Sequence, residues 1–484
     1  MSCRLAPVWT LALLALGGPS VQAQVPFARD LIPSRTSLAR VGLERQWLAV
    51  VPLNDTERLL LISRSADLLF AQTNHGSVHT YDAESGKLLW SSSLGQPTPL
   101  ARPVSANSYA VFGTSADALI ALDRRTGRLI WKQSMGTIPT CGTVCDEDRV
   151  MVGTMDGRVD AYSLREKGPK GAMKVRTQPV QAWSWQTSGP VHTLPLPAEH
   201  VVALGSSDGR VYVVMNDERT SLFRVRTGGP IGEGLGSYGT RTLLIPSADY
   251  NLYAIDLLTS DSLWTFSSGG PVDQAPVVAG EEIYCINQAG HLTRLDPATG
   301  NVRWNTLTQG AQFVAVGASR IYLRSWNKDL YIIDRASGQV LADPAATRQR
   351  AGLNLREFGL SMLNRFDDRL YLGTDSGLVL CLREIGATQP RLLRDPKALP
   401  FGYIPPEGIK LTPPPVPAAE TLAEPGAETK DKEDAAKEQA TPPADEMAKP
   451  APKAAAPKAK AKAKAAARKA ATAKAKSANP PGPE

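Results

Sequence analysis

Three observations in this sequence predict an all-β fold, an eight-bladed β-propeller of four-stranded antiparallel blades, followed by a disordered C-terminal tail. A short apolar strand, a small turn and a second strand recur through most of the chain. The copies return about every 40 residues. A unit of that size cannot bury both faces of its sheet, so the units must stack on one another and close into a ring. Composition agrees. The 484 residues include 40 glycines and 38 prolines, which punctuate helices too densely for a helical bundle. Five cysteines are too few for a disulfide-built scaffold.

The first element is an address. Met1 to Arg4 carries one positive charge, Leu5 to Leu16 is a mostly apolar stretch of 12 residues, and Gly17-Gly18-Pro19 breaks it. Val21-Gln22-Ala23 then offers small residues ahead of Gln24. This is the layout of a cleavable secretory signal over residues 1–23. The apolar run is too short for a membrane span, so no transmembrane segment is expected after cleavage. Lipid anchoring would need a cysteine just after that run, and Cys3 lies before it. Residues 24–45 form a lead-in to the ring.

The ring is expected over residues 46–395. Its recurring second strands read Val78-His-Thr-Tyr-Asp82, Leu119-Ile-Ala-Leu-Asp123, Val159-Asp-Ala-Tyr-Ser163 and Val211-Tyr-Val-Val-Met215. They continue as Leu252-Tyr-Ala-Ile-Asp256, Leu292-Thr-Arg-Leu-Asp296, Leu330-Tyr-Ile-Ile-Asp334 and Leu378-Val-Leu-Cys-Leu382. Tight turns precede them, such as Met155-Asp-Gly157 and Ser207-Asp-Gly209, where a hairpin needs positive φ. A third strand follows the signature Asp82-Ala-Glu-Ser-Gly-Lys-Leu-Leu-Trp90, repeated at Asp123 to Trp131 and Asp296 to Trp304. Looser copies end at Trp185, Phe223, Trp264 and Ala342. The Asp opens a turn by accepting backbone N–H bonds, and the Gly takes its left-handed position. Arg45-Gln-Trp47-Leu-Ala-Val-Val51 resembles an outer strand that has lost its blade, and it is expected to complete the last one. Eight blades result, or seven if the last copy, with its tail from Glu384 to Leu393, packs elsewhere.

These Asp-x-x-[Ser/Thr]-Gly-x-x-x-Trp units resemble the tryptophan-docking repeats of the PQQ-like β-propeller family. That family includes quinoprotein alcohol dehydrogenases and the propeller of the outer-membrane β-barrel assembly machinery. The resemblance implies that Trp90, Trp131, Trp185, Trp264 and Trp304 pack each blade on the next. Phe223 keeps an aromatic there, whereas Ala342 has lost it, leaving the joint after the seventh unit unexplained.

The resemblance allows an enzyme or a scaffold. For a quinoprotein it implies a vicinal cysteine pair, a Trp stacked on the quinone, acidic Ca²⁺ ligands and a general-base Asp. This chain has no adjacent cysteines, and Asp82, Asp123 and Asp296 read as turn-formers. No haem, paired-His metal or phosphate-loop motif occurs. Cys141 and Cys145 are four residues apart, about 13 Å along a strand and beyond disulfide reach. They read as buried thiols, as do Cys285 and Cys381. The five histidines are scattered over different repeats and read as turn or surface residues. No catalytic, cofactor-binding or metal site is therefore expected.

Two further segments carry charge. Arg165 to Arg176 enlarges the third repeat with Arg165, Lys167, Lys170, Lys174 and Arg176 against Glu166, a basic loop that could grip a partner, although a solvated insertion is the plainer reading. Trp183-Ser-Trp185 follows, with both rings on one sheet face by alternation. After Tyr403 no aromatic occurs in 81 residues, and that stretch holds 15 prolines, so it cannot build a core. The tail, residues 396–484, is acidic between Leu411 and Glu446 and then strongly basic, with ten bases and no acid between Met447 and Ser477. Lys458, Lys460, Lys462, Lys464, Arg468 and Lys469 form its densest stretch, a candidate site for anionic lipid headgroups or wall polymers rather than a specific nucleic acid. The sequence thus reads as a secreted, non-catalytic scaffold for protein–protein interaction in a bacterial cell envelope, periplasmic and possessing no cofactor, with outer-membrane protein assembly as the role the resemblance implies. The alternatives are a PQQ-dependent dehydrogenase and a polyanion-tethered envelope binding protein.

Overall fold

A computed structural model describes residues 31–168, 172–217 and 220–404. The expected signal, Lys170 and the basic tail residues Lys458 to Lys469 lie outside the described residues.

Eight four-stranded antiparallel sheets make up the ring. Blades 1 to 7 span residues 59–93, 105–134, 144–186, 196–226, 236–267, 277–307 and 312–342, each built from four consecutive strands. Blade 8 takes three strands from residues 360–384 and its outermost strand from the other end of the chain, β1 (Leu43–Val50). β1 pairs antiparallel with Leu378–Glu384, with Trp47 opposite Cys381. The first sequence strand of each blade is innermost and meets its counterparts in the neighbouring blades, directly or through bonds such as Asn364 N–H to the Val314 carbonyl at 2.9 Å. The last copy of the repeat therefore does form a blade, and the ring has eight.

Alternation explains how the sheets stack. The two middle strands of each blade are buried almost throughout, because both of their faces meet a neighbouring blade. Outer strands such as Leu88–Ser93, Leu129–Ser134 and Ser262–Ser267 bury chiefly their third residue, a tryptophan.

Packing extends beyond the repeats at both ends. Helix α1 (Arg35–Arg40) starts at Ser34, whose hydroxyl accepts the Ser37 N–H at 3.0 Å. Its Leu38 is fully buried in the cluster between blades 7 and 8, with Leu43, Tyr322, Leu353 and Phe358. After Glu384 the chain continues across turns that join first and second strands. The Leu393 carbonyl accepts Gly280 N–H of blade 6 at 2.9 Å, and the Phe401 carbonyl accepts Glu199 N–H of blade 4 at 2.8 Å. Leu393 and Phe401 are both buried. These flanks carry no repeat signature, which is why the repeats alone end the ring at 46 and 395.

Removing a fully buried leucine loses transfer energy and leaves a cavity. Leu38→Ala is expected to lower the unfolding free energy by about 2–5 kcal/mol. Arg35→Ala, on the exposed side of the same helix, should change it by less than about 0.5 kcal/mol. Urea unfolding of the two variants checks this.

Candidate functional site

The joints between blades use the predicted signature. Asp82, Asp123, Asp296 and Asp334 each accept the N–H of the residue three positions on, at 2.7–3.0 Å. The Thr126 hydroxyl, together with its N–H, donates to Asp123 Oδ1 and holds that carboxyl below the ordinary carboxylate range. The tryptophan of one blade then lies on the turn of the next. Trp90 donates its indole N–H to the Arg124 carbonyl at 2.8 Å, Trp264 to Pro297 at 2.9 Å and Trp304 to Arg335 at 3.2 Å. Each ring covers the turn glycine, Gly127, Gly300 or Gly338, so closely that a Cβ there would collide with it. Trp47 does the same from blade 8, donating to the Ala83 carbonyl at 3.1 Å with its ring over Gly86.

In blade 3 that contact belongs to Trp183, not to Trp185. The Trp183 indole donates to the Asn216 carbonyl at 2.9 Å, and its ring is buried. Trp185 is half-buried beside Tyr212, and its N–H has no partner in the protein. Both rings share a face, but only Trp183 stands opposite Ala161, the fourth residue of its neighbour strand, as Trp90 stands opposite Thr80, the fourth of its own. The spacing carried the answer: Trp183, Phe223, Trp264 and Trp304 each lie six residues before Gly189, Gly229, Gly270 and Gly310.

Other joints substitute for the signature. Trp131 has no turn glycine to cover and packs among Phe112, Tyr162 and Leu164. Phe223 packs against blade 5, where Ser260 takes the left-handed turn position at φ 65°. At Ala342 the lost aromatic is replaced by α1, and Arg320 donates to the Val41 carbonyl at 2.7 Å. The closing joint adds a buried ion pair, Arg64 to Asp367 at 2.7 Å, with the guanidinium against Phe366 and Tyr371.

The insertion in blade 3 is a lengthened hairpin, Arg158–Lys167 paired with Met173–Gln186, rather than a loop. Arg165 pairs with Glu147 at 2.9 Å and Arg176 with Glu166 at 2.8 Å, so both arginines are engaged within the blade. Met173, Val175 and Val180 are exposed on its outer strand. Near the axis, Arg365 of blade 8 reaches the Leu235 carbonyl of blade 5 at 3.4 Å, three blades away, so its side chain crosses the central channel. The surrounding ring walls partly desolvate its guanidinium and lower its pKa, although the residue keeps an exposed surface.

Cys141 is buried, accepts the Gly153 N–H at 3.2 Å, and has its thiol pushed up to about 11 by burial. Cys285 and Cys381 are also buried and free, and Cys145 is half-buried. Among the described residues no cluster of His, Cys, Asp and Glu gathers at metal-ligating distance. His79 corrects the reading of histidines as turn or surface groups, because it is only 4% exposed, with Nδ1 2.7 Å from Ser91 Oγ.

An eight-bladed ring with indole-on-turn joints and an outer strand borrowed from the N-terminal side defines a PQQ-like propeller. The chain belongs to the family described as outer membrane protein assembly factor BamB, whose model matches residues 74–217 and 207–406. Relatives of that name include one from Yersinia pestis, 23% identical over 56% of this chain and 63% of its own length. Another, from Burkholderia pseudomallei, is 23% identical over 45% of this chain and 58% of its own. The chain thus spans about three fifths of the length of these relatives. Among solved structures, BamB from Moraxella catarrhalis is similar, with a TM-score of 0.57 at 17% identity, covering 71% of this chain and 98% of its own. The computationally designed Ika8 protein reaches 0.52 at 14% identity, covering 69% and 98%. At such identities the structural likeness speaks for the fold alone.

Two predictions follow from these joints. Trp183→Ala should destabilise the protein by about 3–5 kcal/mol, and Trp185→Ala by clearly less, in the same urea assay. Burial, opposed in part by Glu57, holds the His79 pKa below 6.5. Its contribution to stability is therefore complete above about pH 6.5 and is lost as pH falls through the lowered folded value, by up to about 1.4 kcal/mol per pH unit. His79→Gln should flatten that dependence between pH 7 and 5.

Proposed function

We propose that this protein is a non-catalytic scaffold that mediates protein–protein interaction in a bacterial cell envelope, in outer-membrane protein assembly. The match to the assembly-factor family over residues 74–406 carries this reading. Residue use supports it. Asp82, Asp123, Asp296 and Asp334 spend their carboxylates on turn N–H groups, and the tryptophans spend their indoles on carbonyls. Both sets are accounted for by the joints between blades. Delivery to the periplasm rests on the signal expected over residues 1–23.

The protein's partners are read as other envelope proteins, with the exposed blade 3 hairpin as a surface on which they could dock. The tail beyond residue 404 adds ten bases between Met447 and Ser477, which would hold the protein to anionic lipid or wall polymer.

An affinity pull-down from envelope extracts tests the scaffold, with full-length protein compared with a form ending at residue 404. Specific capture of outer-membrane assembly proteins by both forms is expected. Dye-linked oxidation of alcohols after addition of PQQ and Ca²⁺ would favour the dehydrogenase instead. Loss of all capture with the tail would make polyanion tethering the main activity.

A further inference from the structure

The segment after Glu384 crosses one end of the ring. It is fixed at blade 8, where Arg391 N–H donates to Asp368 Oδ1 at 3.1 Å and Leu393 N–H to the Phe366 carbonyl at 2.9 Å. It passes blade 6 at Gly280 and reaches blade 5, where Gly402 N–H donates to the Thr240 carbonyl at 2.8 Å. All these supports are turns that join first and second strands, so the segment lies on the end of the ring that carries those turns. Its inward side, with Leu393 and Phe401, is spent on the ring. Its outward side is not. Ile385 is 56% exposed, Leu392 48%, Leu399 45% and Ile404 47%. The backbone bonds hold these side chains in solvent, where they contribute nothing to the fold.

Bases stand between the aliphatic side chains. Arg391, Arg394 and Lys397 are exposed and take part in no ion pair among the described residues. Residues 385–404 contain one acid, Asp395, whose carboxylate accepts the Lys397 N–H at 2.9 Å. Carboxylates of the turns beneath are already matched, Glu282 by Arg294 and Arg335 and Asp368 by Arg369. Ile385, Leu392 and Leu399 are seven residues apart. A protein partner would need a separate socket for each of them. A fluid interface does not, because each aliphatic side chain inserts singly while each cation meets a lipid phosphate. The chain also leaves the described residues at this end, at Ile404, and the ten bases between Met447 and Ser477 follow.

We propose that residues 385–404 seat this end of the ring on an anionic bilayer surface, with Arg391, Arg394 and Lys397 on lipid phosphates and Ile385, Leu392, Leu399 and Ile404 in the interface. This rests on the reading of the protein as an envelope protein tethered through its tail, and adds a contact that the ring itself supplies. Each contact holds the other at high local concentration, so the two together bind more tightly than either. A segment fixed to the ring also sets which end meets the bilayer. The blade 3 hairpin leaves its sheet at that same end, since Arg165 pairs with Glu147 and Asp148 of the turn between the first and second strands of blade 3. A protein docked on the hairpin then stands beside the bilayer.

The test is co-sedimentation of full-length protein with mixed phosphatidylglycerol–phosphatidylcholine vesicles, with phosphatidylcholine alone as the control. The contribution of the tail is removed within the full chain by changing the ten bases between Met447 and Ser477 to Gln. This neutral-tail form is expected to keep binding the anionic vesicles. Within it, Arg394→Gln with Lys397→Gln should weaken partition about 25-fold, fivefold for each cation. Leu392→Asn with Leu399→Asn should weaken it about tenfold. All four side chains are exposed, so the urea midpoint should stay where it is. If binding vanishes in the neutral-tail form, or survives both pairs of substitutions unchanged, the seat on the ring is overturned and the tail tether stands. If the neutral-tail form ignores vesicles but captures soluble acidic proteins through the same four residues, the face belongs to a protein and the proposal fails. If even the unsubstituted protein ignores the vesicles, the proposal and the tail tether both fail, and the scaffold reading rests on the pull-down alone.

Discussion

Five of the eight joints of this protein depend on one contact, an indole laid on the turn of the neighbouring blade. A four-stranded sheet of about 40 residues cannot hide both faces, so its stability comes from the blades on either side. The indole brings a large apolar ring to the joint and one N–H donor that must be paired. The turn supplies both counterparts, a glycine without a side chain for the ring and a carbonyl for the N–H, as with Trp90, Gly127 and Arg124. The Asp that begins the turn fixes it by accepting the next N–H groups, which is why aspartate, glycine and tryptophan recur together.

A ring built from one contact must still be closed, and here the closure is heterogeneous. β1 completes blade 8 and brings Trp47 to the turn of blade 1, so the last joint repeats the rule although its parts come from opposite ends of the chain. The joint before it breaks the rule at Ala342, and Leu38, Leu353 and Phe358 fill the volume a tryptophan would have taken. Arg64 and Asp367 then tie blade 1 to blade 8 by a buried pair whose rupture would strand a charge in the core.

Repetition made most of this legible in the sequence. Each copy solves the same burial problem with the same residues, so strands, turns and the split last blade could be read from spacing. Trp185 was misread because the third unit replaces its turn by the long hairpin, which erases the distance from Asp to Trp. A register shift at Ala161 and Tyr162 then decides which of two rings on one face reaches the joint. His79 and Arg365 were opaque for another reason. Burial of a single side chain, or its reach across the axis, depends on which blades face each other, and a periodic pattern does not encode that.

The same logic indicates where function should be sought. A residue that recurs at one position of every blade is explained by the joint, because each joint needs it. A residue peculiar to one blade has no such explanation. The blade 3 hairpin and the segment laid over blades 6 and 4 after Glu384 are departures of this kind. They differ in what they leave available. The segment after Glu384 buries Leu393 and Phe401 and is spent on holding the ring. The hairpin satisfies its arginines internally but leaves Met173, Val175 and Val180 in solvent on an edge strand, an arrangement that burial would favour and that contributes nothing to the ring. Of the two, the hairpin is the surface that a protein partner would improve.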